Sequence, residues 1–239
     1  MCTVSWRWQR GGYELFFNRD ERATRRSADP PRIEVQGDVR YLAPRDAEAG
    51  GTWLAANEHG LTLGLLNGPE RGAARTAPTR GGIVRGLADA PDLLRLERRL
   101  RALELGPFRP FLLLALAPSG HGLVAGWQDG ALDVEHDVDR RMPLVSSAFD
   151  AEEVQRGRAA LFGVMREELG ADSSELHLRY HESHRPARGP RSICMHRADA
   201  QTVSFSWIRV EPGAVSFRYS AHPPCAGRPA GEGLTLERR

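Results

Sequence analysis

The chain has 239 residues, of which 41% are hydrophobic and 27% are charged, so it can bury a substantial core. The formal net charge of +2 gives no reason to expect a nucleic-acid partner. The sequence has only three scattered cysteines, and its first residues do not resemble a secretory signal peptide, which has a cationic segment followed by an apolar one. These features predict a cytoplasmic protein without a disulfide framework. No apolar run approaches the roughly 18 residues of a membrane span. No repeat or linker divides the chain, and we expect one domain over residues 1–239.

The first two residues carry the main chemical signal of the sequence. Removal of Met1 would leave Cys2 with both a thiol and a free α-amine. Such an amine has a pKa of about 7.7–8.0 and a free thiol one of about 8.5, so proton transfer between them is nearly balanced. N-terminal nucleophiles use this amine as their base. We therefore predict Cys2 as a nucleophile, against the simpler interpretation that it only begins a strand.

Two alternating segments after Cys2 predict a β-hairpin. Residues 4–8 and 13–17 alternate apolar and polar side chains around Gly11-Gly12, as paired strands do. The hairpin would bring the motif Asn18-Arg19-Asp20-Glu21 back beside Cys2. Arg19 would then hold the thiolate or face a substrate carboxylate or carbonyl, and Asp20 would orient the amine. The same residue types are common in ordinary surface turns.

The rest of the chain predicts further hairpins and two helical blocks. We expect loops at residues 22–31 and 43–51, and helices around residues 83–105 and 151–169. Strands are expected at 52–56, 61–67, 110–117, 123–127, 143–147, 202–210 and 214–220. Val164 and Leu169 are expected to face the core. Periodicity alone therefore supports an α+β fold.

His181 and His184 form a pair three residues apart that raises the question of a metal or haem ligand. The neighbouring Pro186 and Pro190 predict a loop rather than a helix. No third ligand follows at a defined spacing, and the segment 194–196 is typical of a strand. The sequence therefore predicts no metal site.

Several motifs together resemble the NRDE family, which includes the transport and Golgi organisation proteins. They are the initial Met1-Cys2, the motif Asn18-Arg19-Asp20-Glu21, and the run Gly50-Gly51-Thr52-Trp53-Leu54-Ala55-Ala56-Asn57. Residues 145–147 and 154–157 resemble a later motif of the family. That family is similar to the N-terminal-nucleophile amidohydrolases of the bile salt hydrolase and penicillin V acylase group. The resemblance implies a four-layer αββα sandwich of two antiparallel sheets.

The resemblance also implies roles for individual residues. Asn67 corresponds to an acylase asparagine that helps to form the oxyanion hole, although Asn also suits an ordinary turn before Gly68-Pro69. Arg191 is the candidate for the late active-site arginine of the acylases. Ser147 stands where the acylases have a second Asn, and its hydroxyl has a shorter reach.

Two functions from different classes follow. The first is an N-terminal cysteine amidohydrolase that cleaves a linear amide in a small-molecule or lipid-like substrate and needs no cofactor. The alternative, which the resemblance also implies, is a non-catalytic protein that binds or traffics lipid or haem on the same scaffold. A redox-sensing thiol at Cys2 is a third possibility. The sequence predicts no oligomeric state.

Overall fold

The computed structural model describes residues 2–68, 77–147, 150–170 and 172–239. Met1 and the Pro69 of the predicted turn lie outside these ranges. Within them the chain forms two antiparallel sheets and four α-helices. The helices are α1 (Gly81–Leu87), α2 (Leu93–Arg101), α3 (Ala151–Leu169) and α4 (Ser174–Glu182).

The strands of the described residues number thirteen. They are β1 (Cys2–Gln9), β2 (Gly12–Arg22), β3 (Asp29–Gln36), β4 (Val39–Arg45), β5 (Leu54–Asn57), β6 (Thr62–Asn67), β7 (Phe111–Ala117), β8 (His121–Gln128), β9 (Ala131–Glu135), β10 (Leu144–Ser146), β11 (Ala200–Val210), β12 (Ala214–Ser220) and β13 (Leu234–Glu237). One sheet has the order β10-β1-β2-β11-β12-β13 and the other runs from β3 to β9 in chain order. The predicted hairpins are confirmed.

The main core lies between the two sheets. Trp6 and Phe17 project from the six-stranded sheet and belong to the same buried cluster as Leu54 and Leu114 of the seven-stranded sheet. These side chains recur at every second position of their strands, because successive side chains of a strand point to opposite faces of the sheet. The two sheets therefore pack face to face.

The helices cover the outer faces of the sheets. Ile83 of α1 and Leu96 of α2 share a buried cluster with Leu63 and Leu113 of the seven-stranded sheet. On the other side, α3 and α4 pack on the six-stranded sheet through strands β1, β2 and β10. The fold is thus the four-layer αββα sandwich that the resemblance implies. Among the described residues, no helix is both long and apolar enough to cross a membrane.

A buried polar network fixes strand β1 against helix α4. The Ser5 hydroxyl lies 2.7 Å from His177 Nδ1 and 2.9 Å from His181 Nε2. His177 Nε2 lies 3.0 Å from an Asp172 carboxylate oxygen, and the ring of Phe16 stacks on His177. Ser5 and both histidines are fully buried, so this Ser–His–Asp arrangement has no access to substrate and is structural. Its effect is to hold the strand that begins at Cys2.

Two predicted loops contain strand residues instead. β3 begins at Asp29 and includes Pro30-Pro31, and β4 extends to Arg45. β3 is an edge strand, where a proline need not donate to a neighbour. The pairing register also shifts between Asp29 and Arg32, which accommodates the two prolines.

The helices differ from prediction in two respects. α4 places His181 in its last turn, where a loop was expected, because the histidines on its buried face weaken the apolar pattern. In α3 the buried stripe consists of Val154, Arg158, Phe162 and Met165. Val164 and Leu169 are exposed instead, so the predicted face was rotated relative to the real one.

The buried network predicts a pH dependence of stability. Burial, together with the charges of His177 and Arg158, holds the pKa of His181 well below its ordinary value. Below pH ~6.5 the unfolded chain therefore gains a proton at this residue that the folded chain does not. Folding stability should be complete above this pH and fall as the pH decreases below it. The contribution of His181 is at most about 1.4 kcal/mol per pH unit.

Urea unfolding between pH 7.5 and 5 measures this effect. His181→Gln should flatten the pH dependence of the free energy of unfolding. The exposed His121 offers a matched control, and His121→Gln should keep the wild-type slope. Equal slopes in the two variants would contradict the assignment.

Candidate active site

Strand pairing brings Cys2 beside the motif residues. Cys2 is directly opposite Arg19 on β2 and opposite Ser146 on β10. Its backbone N–H donates to Ser146 Oγ at 3.1 Å. In a chain without Met1, this same nitrogen would be the α-amine. The start of β1 thus places a thiol, its own nitrogen and a hydroxyl within one small region.

Arg19 is held rigidly on the face that it shares with Cys2. Its guanidinium carbon lies 4.1 Å from the ring centroid of Trp53, which is a cation–π contact. Its Nη2 lies 3.3 Å from an Asp46 oxygen and 3.4 Å from a Glu21 oxygen. Arg19 therefore presents a fixed positive charge next to the thiol.

Asp20 lies on the opposite face of β2, where it is buried. Its Oδ1 accepts a hydrogen bond from Thr202 Oγ1 at 2.6 Å, and Arg158 Nη1 lies 3.9 Å from its Oδ2. Burial raises the pKa of Asp20, while the charge of Arg158 and the Thr202 hydroxyl act in the opposite direction. The carboxyl group is therefore supported from behind by α3 and β11.

The Cys2 thiol is in a mixed electrostatic environment. Burial raises its pKa, and the charge of Asp20 acts in the same direction. The backbone N–H of Asp20 and the guanidinium of Arg19 oppose this shift. Because the pKa is raised overall, the resting group is a thiol. Attack on a substrate would then need a nearby base to take the proton.

Two adjoining cavities open at this site. One, of about 290 Å³, is lined by Cys2, Arg19 and Trp53. The other, of about 220 Å³, is lined by Ser146 and Ser147. Asn67, exposed at the end of β6, lines both cavities, as Asp20 does. The structure therefore brings together four of the five predicted site residues, which are Cys2, Arg19, Asp20 and Asn67.

The glycine-rich motif forms one wall of the larger cavity. Gly51 packs backbone to backbone against Gly81 at the start of α1, and a Cβ on Gly51 would lie 2.7 Å from the Gly81 carbonyl carbon. The Thr52 N–H donates to the Gly81 carbonyl at 3.3 Å. This close approach explains why the run needs glycine immediately before the cavity-lining Trp53.

Arg191 is the predicted residue that the structure does not bring to this site. Its side chain is 51% exposed and pairs with Asp150 and Glu153. It lines neither of the two cavities. Its guanidinium pairs with these surface carboxylates, so the structure gives no support to the role that the resemblance implies for Arg191.

Arg158 is a second buried arginine besides Arg19, and it was not predicted from the sequence. It is 1% exposed and donates to the Thr3 hydroxyl and to the Ser192 carbonyl at 2.6 Å. It lies four residues from both Val154 and Phe162 on α3. An arginine within an apolar stripe at this spacing needs a buried partner, and that spacing was the available signal.

Asn18, the first residue of the four-residue motif, has a structural role. It is fully buried, and its Nδ2 donates to the His181 carbonyl at 3.0 Å and to the Ile193 carbonyl at 3.1 Å. These bonds tie β2 to the end of α4 and to the segment before β11. Asn18 therefore supports the site from behind without facing the cavities.

The four-layer sandwich defines the class of fold, that of the N-terminal-nucleophile hydrolases, and Cys2 begins an inner strand of it. The N-acylethanolamine-hydrolyzing acid amidase ortholog of Caenorhabditis elegans matches with a TM-score of 0.63 and 16% identity, over 87% of this chain and 92% of its own. A mutant conjugated bile acid hydrolase from Clostridium perfringens matches with a TM-score of 0.55 and 11% identity, over 100% and 97%. Penicillin V acylase from Agrobacterium tumefaciens matches with a TM-score of 0.52 and 13% identity, over 93% and 84%. At such identities the likeness establishes the fold alone.

The chain belongs to the Transport and Golgi organisation 2 family, whose family model matches residues 1–168. This confirms the resemblance drawn from the motifs. The matched region includes Cys2, Arg19, Asp20 and Asn67. A comparison with curated proteins finds no significant match.

The buried pair behind the site predicts a large effect of one substitution. Arg158→Leu removes the guanidinium that faces the buried Asp20 carboxylate, and it should lower the free energy of unfolding by about 3–5 kcal/mol. Arg156, exposed on the same helix, provides the control. Arg156→Leu should stay within about 0.5 kcal/mol of the wild type. Similar losses in both variants, measured by urea unfolding, would contradict the role given to Arg158.

Proposed function

We propose that the protein is an N-terminal cysteine amidohydrolase that becomes competent when Met1 is removed. The observation that carries the proposal is the position of Cys2. Cys2 lines a cavity and pairs directly with Arg19 across β1 and β2, and the nitrogen that would become its α-amine lies 3.1 Å from Ser146 Oγ. One residue would thus supply both the nucleophile and the base.

The reaction would proceed through a thioester. The α-amine takes the thiol proton as Sγ attacks the carbonyl carbon of a linear amide, which forms a C–S bond and an oxyanion. The ammonium then gives its proton to the amide nitrogen, the C–N bond breaks and the amine product leaves. A water molecule, deprotonated by the same α-amine, hydrolyses the thioester and regenerates the thiol.

The residues around the thiol have complementary roles in this scheme. Asn67 would donate its side-chain N–H to the oxyanion, an interaction on the order of 3–4 kcal/mol in acyl transfer. Ser147, beside Asn67 in the smaller cavity, would add a hydroxyl donor. Arg19 would favour the thiolate and orient a substrate carboxylate or carbonyl. Asp20 would orient the ammonium form of the amine.

The cavities suggest a small polar substrate. A volume of about 290 Å³ is at the lower end of the range for small-molecule pockets. Four arginines (Arg19, Arg25, Arg80 and Arg109) and three carboxylates (Asp20, Glu21 and Asp46) line it, which favours a substrate with polar groups. The names of the three similar structures describe an amidase, a bile acid hydrolase and an acylase, and this supports a test with amide substrates.

The first test is hydrolysis by the purified chain, with intact mass and N-terminal sequencing to show whether Met1 is absent. The panel would include an N-acylethanolamine, a conjugated bile acid and penicillin V. We expect turnover of at least one linear amide, and a loss of more than about 10³-fold in Cys2→Ala because the nucleophile is removed. Arg191→Ala should change turnover little, since Arg191 lies outside the cavities.

Two results would contradict the proposal. One is a mature chain that retains Met1, and the other is turnover that survives Cys2→Ala. Saturable lipid or haem binding that survives Cys2→Ala, without turnover of any amide, would instead support the non-catalytic protein on the same scaffold.

A further inference from the structure

Four potential metal ligands converge outside the Cys2 site. They are His184, Cys194, His196 and Cys225, and one ligand atom of each lies within 4.8 Å of all the others. His184 follows α4, Cys194 and His196 lie in the segment before β11, and Cys225 lies in a short 3-10 helix after β12. Three separate parts of the chain therefore meet at this cluster.

The spacing of the ligand atoms is close to that of a tetrahedral zinc site. Zn–S bonds of about 2.3 Å and Zn–N bonds of about 2.0–2.1 Å place ligand atoms about 3.5 Å (S to N) and about 3.3 Å (N to N) apart. His196 Nε2 lies 3.6 Å from Cys194 Sγ, 3.5 Å from Cys225 Sγ and 3.1 Å from His184 Nε2. All three distances that meet at this nitrogen thus fit, and no separation among the four ligand atoms exceeds 4.8 Å.

We propose that these four residues bind Zn²⁺ as a structural Cys₂His₂ site. Two thiolates and two imidazoles are the ligand set that zinc prefers, and four protein ligands complete its tetrahedral coordination. No position remains for a catalytic water, so the ion would not take part in hydrolysis. The ion would therefore stay outside the chemistry proposed for Cys2.

The chain around the ligands is already fixed in place. The Cys194 N–H donates to the Ser183 carbonyl at 3.0 Å, and the His196 N–H donates to the Gly189 carbonyl at 3.2 Å. Zinc binding would also change the contact between His196 and Arg188, which is not a ligand. Arg188 Nη2 lies 3.3 Å from His196 Nδ1, and this nitrogen carries the proton when Nε2 binds a metal. Arg188 is exposed, so its side chain can turn towards solvent.

The cluster is connected to the candidate active site through one residue. Met195, between two of the ligands, donates its N–H to Thr202 Oγ1 at 2.8 Å. That hydroxyl in turn donates to Asp20 Oδ1 at 2.6 Å. Zinc would therefore fix the segment that positions Asp20, and it would join this segment to α4 and to the chain after β12.

Metal binding to the full-length, reduced chain tests the proposal. Metal analysis after expression with zinc should give one ion per chain, and added Zn²⁺ should raise the melting temperature of the metal-free protein. Replacement by Co²⁺ should give the thiolate charge-transfer and d–d absorption bands of a tetrahedral site with sulfur ligands. These readouts do not depend on amide turnover, so they can fail or succeed independently of the proposed enzyme.

Two variants separate this site from Cys2. Cys225 is exposed, so Cys225→Ser should still fold. Loss of an outer-shell partner of a metal ligand lowers metal affinity by roughly 10–100-fold. Loss of the ligand Cys225 itself should lower the Zn²⁺ affinity by more than this. Cys2→Ser should retain the affinity and spectrum of the wild type. The proposal is overturned if the reduced wild-type chain binds no Zn²⁺ or Co²⁺, or if Cys225→Ser binds them as tightly as the wild type.

Discussion

The pairing of Cys2 with Arg19 across β1 and β2 is the constraint on which the site depends. A slip of one residue would turn one of them to the opposite face of the sheet, since side chains alternate along a strand. The turn between the strands fixes this register. Gly11 has a φ of +74°, and a Cβ on Gly12 would lie 1.8 Å from the Val210 carbonyl oxygen. A glycine pair at the hairpin thus determines what the thiol faces.

The outer face of the same sheet carries a layer of buried polar groups. Buried there are Asp20, Arg158, Ser5 and the two histidines His177 and His181, which is costly unless each group has partners. Helices α3 and α4 supply most of those partners, and Thr202 of β11 supplies another. The helices therefore do more than cover apolar surface, because they hold the charges that position strands β1 and β2.

Local patterns in the sequence were sufficient for the hairpins and for α3, and the family resemblance supplied the αββα arrangement. The hairpin also placed Arg19 and Asp20 beside Cys2, since this contact follows from strand pairing alone. Strand pairing does not show that Arg158 is buried and Arg191 is exposed. The burial of each arginine depends on how α3 and the segment before β11 pack against distant strands. The four clustered ligands were missed for a similar reason. They come from three separate segments, and no short motif records that these segments meet.

The function proposed for this protein requires the first residue of the mature chain to react covalently with substrate. Acid quenching during turnover, followed by peptide mass mapping, would detect this intermediate. We expect an acyl group on a peptide that begins at Cys2, with no Met1 before it. An acyl group on another residue, or a peptide that reacts while Met1 is still attached, would contradict it.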